Sequence, residues 1–398
     1  MKKKLRVGVL FGGRSGEHEV SLLSAASVLK AIDRKVYEVV PIGITKEGRW
    51  VVAADAEQLL AGNYPDSSSL RAGDPQQTAP AAVLAKGQGV IVPPMPGGAL
   101  VPFEQEASSI SPAHAVLQLD VVFPVLHGTF GEDGTMQGLF ELAGLAYVGS
   151  GVLGSATGMD KEVMKRLFKA AGLPITQHVT FLRREWMQSP KKVMAQLEGA
   201  LQYPFFAKPA NLGSSVGISK VHDRKELAPA IDLAASFDRK IVVEQAVGSR
   251  GNRAKMGKAR ELEVAVLGND EPIASVVGEI VPFKEFYDYE DKYLSEGSKP
   301  IIPAKLTKKQ SAEVQTMALA AFRACDCAGL ARVDFLLEAG VSGRLYLNEI
   351  NTMPGFTSIS MYPKLWEASG VKYRDLISRL ITLALERKAE QEQISYSR

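Results

Sequence analysis

The chain has 398 residues, 47 Lys and Arg against 44 Asp and Glu for a formal net charge of +3, 46% hydrophobic residues and 2 cysteines. That length holds several domains with cores of their own, and the apolar fraction excludes wholesale disorder. A charge this small names no nucleic-acid or membrane surface, and Cys325 and Cys327, one residue apart, suit neither a disulfide nor a zinc knuckle and fit a reducing compartment.

Three lysines, residues 2–4, precede an apolar run at 5–11, but that run is short and ends in Gly12-Gly13-Arg14-Ser15-Gly16, so it reads as a buried first strand rather than a signal peptide. No stretch of about 18 apolar residues is present, and a cytoplasmic protein is expected. After the loop 12–16, apolar residues at helical spacing predict a helix over 20–32, and 36–44 reads as a second strand. Together these open an α/β domain. Residues 63–112 are rich in Pro, Gly, Ser and Gln and read as a loop-rich insertion with short strands around 90–92. A buried strand is predicted over 120–126, then the loop His127 to Gly134, then a helix from about Met136.

The Gly- and Ser-rich stretch 149–158 reads as a boundary before a helix over 161–171. Strands follow at 204–209, 240–245, 262–267 and 273–281, with the loop 210–217 after the first of them. The last part holds a helix over 311–325, a hairpin over 331–351 and a final helix over 373–387. Three units are expected: an N-terminal α/β domain over 1–149, a central one over 150–244 and a C-terminal one over 245–398. No internal repeat is visible.

The hairpin carries chemistry. With its turn centred between Val341 and Ser342, Asp334 lies opposite Glu349 and Arg332 opposite Asn351. Residues two apart on a strand share a face, so all four converge. Three hard oxygen donors, Asp334, Glu349 and Asn351, suit Mg²⁺, which shares its remaining positions with phosphates and water. Arg332 beside them is placed to stabilise developing charge.

A second constellation is Lys208-Pro209-Ala210-Asn211-Leu212-Gly213-Ser214-Ser215-Val216-Gly217. A lysine at a strand end followed by small residues suits phosphate oxygens, which backbone N–H groups can approach. The chain has no G-x-x-x-x-G-K-[ST] and no strand-associated G-x-G-x-x-G, so neither a Walker loop nor a Rossmann site is indicated. Alone, such a loop is more often a turn. Combined with the acidic hairpin and with Lys161 after Gly158-Met159-Asp160, it reads as a nucleotide-phosphate site.

These residues lie in motifs that resemble the D-alanine:D-alanine ligase family of the ATP-grasp superfamily. The motifs are GGRSGEHEVSL (12–22), LHGTFGEDGTMQG (126–138), KPANLGSSVG (208–217), FYDYEDKYL (286–294), ARVDF (331–335) and NEINTMPGFTSISMYPKLW (348–366). The likeness runs over most of the chain and is weakest in 63–112. It implies an N-terminal doubly wound α/β domain followed by two ATP-grasp subdomains in an α+β arrangement. It also implies a reaction in which two D-alanines and ATP give the dipeptide for peptidoglycan synthesis, with two Mg²⁺ ions, or Mn²⁺ in their place.

By this resemblance Lys161, Lys208 and Lys292 serve the ATP phosphates with Ser214 and Ser215, Glu244 and Val247 border the adenine, and Glu261 contacts the ribose. Glu17 holds the ammonium of the first D-alanine and His127 lies near its carboxylate. Ser360 takes the carboxylate of the second, with Met361 as apolar lining. Glu17, Ser214 and Tyr293 form a network that orients the attacking amine, and Arg332 with the backbone N–H of Gly355 stabilises the oxyanion. The aromatic-rich run 283–293 reads as a lid. A homodimer through the N-terminal domain is implied, with no nucleic-acid or membrane partner.

One stretch departs from the family pattern. Residues 248–260 carry five basic residues and no acid beside the expected adenine hinge, so they alone outweigh the net charge of +3. They read as a solvated loop, with contact to an anionic effector as the other reading. Rivals to the main function are a D-alanine:D-lactate or D-alanine:D-serine ligase, and a non-catalytic nucleotide-binding regulator.

Overall fold

The computed structural model describes residues 3–52, 79–103, 117–248, 258–281, 299–338, 343–357 and 359–395. The expected lid with Lys292 and Tyr293, the centre of the basic stretch and much of the insertion lie outside the described residues.

The first sheet runs in the order β6-β5-β4-β3-β2-β1-β7-β8. Its strands are β1 (Leu5–Gly12), β2 (Tyr37–Ile44), β3 (Trp50–Val52), β4 (Gln88–Ile91), β5 (Ala99–Pro102), β6 (Leu117–Gln118), β7 (Val121–Pro124) and β8 (Ala146–Tyr147). The central β1 pairs in parallel with β2 and β7, which explains why its sequence is apolar without alternation: both faces are covered. The helix His18–Ala31 follows β1. Its Ser21 ties the two together, accepting from Gly12 N at 2.8 Å and donating to the Val125 carbonyl.

A second, antiparallel sheet runs β11-β10-β12-β9, formed by β9 (His178–Leu182), β10 (Phe205–Pro209), β11 (Ser219–Val221) and β12 (Lys240–Gln245). The third runs β16-β15-β13-β17-β18, with β14 paired to β13. Its strands are β13 (Arg260–Gly268), β14 (Ile273–Ala274), β15 (Gly278–Val281), β16 (Lys299–Ile301), β17 (Gly329–Leu337) and β18 (Leu345–Asn351).

Among the described residues six helices were not expected, including Arg183–Gln188, Pro190–Ala200, Arg224–Phe237 and Met361–Ala368. Ala79–Lys86 lies in the stretch read as loops, and Val152–Met159 lies in the stretch read as a boundary. The strand expected over 273–281 is two short ones, β14 and β15. Arg260, expected in a basic loop, opens β13 and is gripped by Glu279 through two bonds of 2.8 and 2.6 Å. Among the described residues no helix is long and apolar enough to cross a membrane. Cys325 and Cys327 are free and buried.

The C-terminal segment packs back on the first sheet. Phe356, Tyr362, Trp366, Leu376 and Leu380 share one core with Val9, Phe123 and Val148. Phe356 is fully buried, its ring edge-on to Phe123 at 5.6 Å between centroids. This docking brings the loop after β18 onto the middle of the helix His18–Ala31, where Ser24 Oγ accepts from Phe356 N at 3.3 Å. Phe356→Ala is expected to cost about 3–5 kcal/mol by urea unfolding, and a loss under about 1 kcal/mol would show that this aromatic contact does not hold the segment down.

Candidate active site

A cleft lies between the second and third sheets. One wall carries Thr176, Lys208 on β10, Ser215, and Glu244 to Val247 at the end of β12; the other carries Glu261 and Glu263 on β13, Arg332 and Asp334 on β17, and Glu349 on β18. Of the residues expected to serve nucleotide and metal, Lys208, Ser215, Glu244, Val247, Glu261, Asp334 and Glu349 line this one space, drawn from strands far apart in sequence, whereas Lys161, Ser214 and Asn351 are not part of its lining.

The third-sheet wall follows from hairpin register. Asp334 pairs with Glu349 and Arg332 with Asn351, as the turn position predicts. An irregularity between Asp334 and Phe335 then shifts the remaining pairs to Phe335 with Leu347, Leu336 with Tyr346 and Leu337 with Leu345. Arg332 grips Asp334 through two bonds, Nε to Oδ1 and Nη2 to Oδ2, each 2.7 Å. Glu263, on the neighbouring strand, lies 3.3 Å from Arg332 Nε. Burial opposes the guanidinium charge, but Asp334 and Glu263 outweigh it and hold the group firmly protonated. Asn351 Oδ1 accepts from Met353 N at 3.1 Å. Among the described residues no three His, Cys, Asp or Glu side chains form a metal cage. Asp334 and Glu349 facing the cleft, with the Asn351 amide two residues along the strand from Glu349, fit a hard divalent ion that completes its shell with phosphate and water oxygens.

On the other wall Lys208 pairs with Glu244, and its ammonium lies 5.5 Å from the centre of the Phe206 ring. Lys161, buried at the start of the helix Lys161–Ala170, donates to the Leu212 carbonyl at 2.6 Å. Asp160 caps that helix, accepting from Glu162 N at 3.1 Å and Val163 N at 3.0 Å. The loop between β10 and β11 turns through left-handed backbone at Ser214 (φ 49°) and Ser215 (φ 60°).

That loop reaches the chain that follows β1. Ser214 Oγ donates to Glu17 Oε1. Gly213 allows the approach, because a Cβ there would stand 2.6 Å from Glu17 Oε2. Glu17 precedes the helix His18–Ala31 and is buried. His127, beyond β7, shares bonds with Ser24 Oγ at 3.1 Å and the Met353 carbonyl at 3.2 Å. Burial lowers its pKa, against the pull of Glu17 and the Met353 carbonyl. Ser24 also accepts from Phe356 N at 3.3 Å, so Gly355 is held one residue from the His127 cluster. Ser360 Oγ bonds Thr357 N at 3.0 Å and Thr357 Oγ1 at 2.8 Å. Met361 is buried, and its Cε would lie 2.6 Å from a Cβ on Gly278, so it packs into the core beneath Ser360.

Four residues at these sites escaped sequence reasoning: Glu132, Lys165, Thr176 and Glu263. Lys165 stands four residues after Lys161 and Glu263 two after Glu261, spacings that put each pair on one face of its helix or strand. Glu132 lies inside the quoted loop motif and accepts from Gly128 N at 2.7 Å. Burial first, then the charge of Glu17, pushes its carboxyl up to about 8. A carboxyl raised on folding stabilises fully below its unfolded value of 4.5, and that contribution is lost as pH rises through about 8. Glu132→Gln keeps an acceptor for Gly128 and removes the titration. The wild-type thermal midpoint is expected to fall by several degrees relative to Glu132→Gln between pH 6 and 9; parallel profiles would place Glu132 outside this linkage.

Antiparallel sheets closing on a cleft with Lys208 on one wall and the paired acids Asp334 and Glu349 on the other mark an ATP-grasp ligase. Family profiles described as D-ala D-ala ligase N-terminus and D-ala D-ala ligase C-terminus match residues 6–150 and 167–382. The D-alanine--D-alanine ligase of Natranaerobius thermophilus is 48% identical over 397 residues, covering 99% of this chain and 98% of that one. That of Geobacillus thermodenitrificans is 47% identical over 394 residues, with 99% of each covered. Among solved structures, the D-alanine-D-alanine ligase from Coxiella burnetii matches with a TM-score of 0.78 and 32% identity over 98% of this chain and 96% of that one. The VanG D-Ala:D-Ser ligase from Enterococcus faecalis matches with a TM-score of 0.77 and 34% identity over 96% of this chain and all of that one. The chain belongs to the D-alanine–D-alanine ligase family.

Proposed function

We propose that this chain joins two D-alanines into D-alanyl-D-alanine, using ATP and releasing ADP and phosphate, as a step in cell-wall synthesis. The observation that carries the reading is that Arg332, Asp334 and Glu349, with Asn351 paired opposite Arg332, look across one cleft at Lys208 and Glu244. Relatives named for this activity over their full length support it.

A carboxylate is a poor acyl donor because its leaving group would be oxide. The carboxylate oxygen of the first D-alanine therefore attacks the γ-phosphorus, and the bond to ADP breaks, giving an acyl phosphate. Such a transfer depends on positioning and charge neutralisation. Lys161 and Lys208 neutralise phosphate oxygens, with Lys292 from the segment outside the described residues. Glu261 holds the ribose, and Glu244 and Val247 border the base. Asp334, Glu349 and Asn351 would hold Mg²⁺, in two ions, which when bound offsets charge on the transferring phosphoryl group.

Glu17 binds the ammonium of the first D-alanine and His127 lies toward its carboxylate. Ser360, supported from below by Met361, holds the carboxylate of the second. The second amine attacks the acyl carbon, its proton passing toward the network of Glu17, Ser214 and Tyr293. Arg332 and the N–H of Gly355 stabilise the oxyanion until the bond to phosphate breaks. The same reading makes the protein a cytoplasmic homodimer built through its N-terminal domain.

Phosphate release measured with D-alanine, L-alanine, D-serine and D-lactate, singly and in pairs, tests the assignment. D-Alanine alone is expected to sustain turnover. Turnover only when D-serine or D-lactate joins D-alanine would move the chain to a related ligase, and ATP binding without turnover on any pair would make it a regulator.

A further inference from the structure

Two ammonium groups reach the Glu244 carboxylate. Lys208 approaches Oε1 from β10, and Lys165 lies 2.6 Å from Oε2, rising from the helix Lys161–Ala170. Thr176 Oγ1 donates to the same Oε2 at 3.0 Å. The side chains of Lys165 and Glu244 are 2% and 3% exposed, whereas Lys208 is 12% exposed and lines the cleft. Lys208 can therefore meet a ligand, and Lys165 cannot. Lys165 also reaches Thr176 Oγ1 at 3.5 Å and the Asn348 carbonyl at 3.4 Å, and burial lowers its pKa to about 8 against the opposing charge of Glu349.

A buried carboxylate requires a cation, and stripping one from such a pair strands the other charge. Were Lys208 to leave Glu244 for a phosphate without replacement, the wall of the base pocket would hold an uncompensated anion. We infer that Lys165 is the resident counter-ion of Glu244, which keeps that carboxylate ionised and fixed while Lys208 turns to the nucleotide phosphates. Lys165 is thus a positioning residue that acts on ATP through Glu244 and Lys208. The inference rests on the ATP site proposed above.

Lys165→Met removes the charge while keeping an unbranched side chain of similar length. Calorimetric titration of the full-length variant with ATP and Mg²⁺ is expected to show affinity about tenfold weaker or worse, equal to about 1.4 kcal/mol or more. KM for ATP rises in parallel, kcat falls less, and KM for D-alanine stays within about twofold. Lys165→Arg restores most of the affinity.

The decisive arm adds Glu244→Gln to Lys165→Met. The neutral amide no longer competes for Lys208, so ATP affinity is expected to improve over Lys165→Met, whereas Glu244→Gln in the wild-type background brings no improvement. A merely structural lysine would not produce that change of sign. Unchanged affinity in Lys165→Met, or no recovery in the double variant, overturns the inference. If Lys165→Met fails to fold, the double variant lacks both charges and must fold and bind ATP within about tenfold of Glu244→Gln; weaker binding overturns the inference equally. Wild-type protein that binds ATP but ligates nothing defeats the ligase reading alone. Normal ligation with wild-type ATP affinity in Lys165→Met defeats this inference alone.

Discussion

Arg332→Ala is expected to reduce kcat by about 10²–10³-fold while ATP affinity changes only a few-fold. The guanidinium is built into the third sheet rather than carried on a loop. Its position on β17 sets it opposite Asn351, two bonds of 2.7 Å fix it to Asp334, and Glu263 backs it at 3.3 Å. Such fixation lets it meet a developing oxyanion without first reorganising. Lys208, Glu244 and Glu261 are untouched by the substitution, so nucleotide binding persists. Alanine also leaves Asp334 and Glu263 without their shared cation, and the thermal midpoint of the variant is expected to fall without divalent metal and to recover in part when Mg²⁺ is added. Steady-state kinetics with calorimetry of ATP binding separates the effects; kcat within tenfold of wild type would remove Arg332 from the chemistry.

Asp334→Asn is expected to raise the Mg²⁺ concentration for half-maximal activity by about tenfold or more and to lower kcat by about 10²-fold. Asp334 and Glu349 are cross-strand partners, so the substitution converts two facing carboxylates into one carboxylate and one amide. A hard dication loses most where an anionic oxygen becomes neutral. The amide keeps an acceptor for Arg332, so this variant differs from Arg332→Ala in its dependence on metal. An activity-against-Mg²⁺ curve of unchanged midpoint would move the metal elsewhere.

Much of this site was legible because strand periodicity and turn position determine which side chains face each other. Arg332 with Asn351 and Asp334 with Glu349 followed from counting alone. The shift beyond Asp334 did not, since a single irregularity moves every later pair without changing which residues are apolar. Helix Ala79–Lys86 was hidden by Pro80, yet proline in a first helical turn forfeits no hydrogen bond, and Val83 is fully buried. Helix Val152–Met159 was hidden by its glycines. Gly158 serves close packing: a Cβ there would stand 2.7 Å from Thr352 Cγ2. Lys165 and Glu263 were passed over because a charged residue in a helix or strand ordinarily faces water, and only the fold supplies the partners that let them face inward.

On the proposed mechanism the first carboxylate is phosphorylated before the amine attacks. Turnover of D-alanine carrying ¹⁸O in both carboxylate oxygens, followed by mass analysis of the released phosphate, tests it directly. The bridging oxygen of the acyl phosphate leaves with phosphorus, so one ¹⁸O is expected in each phosphate. Dipeptide formation with unlabelled phosphate would contradict the account.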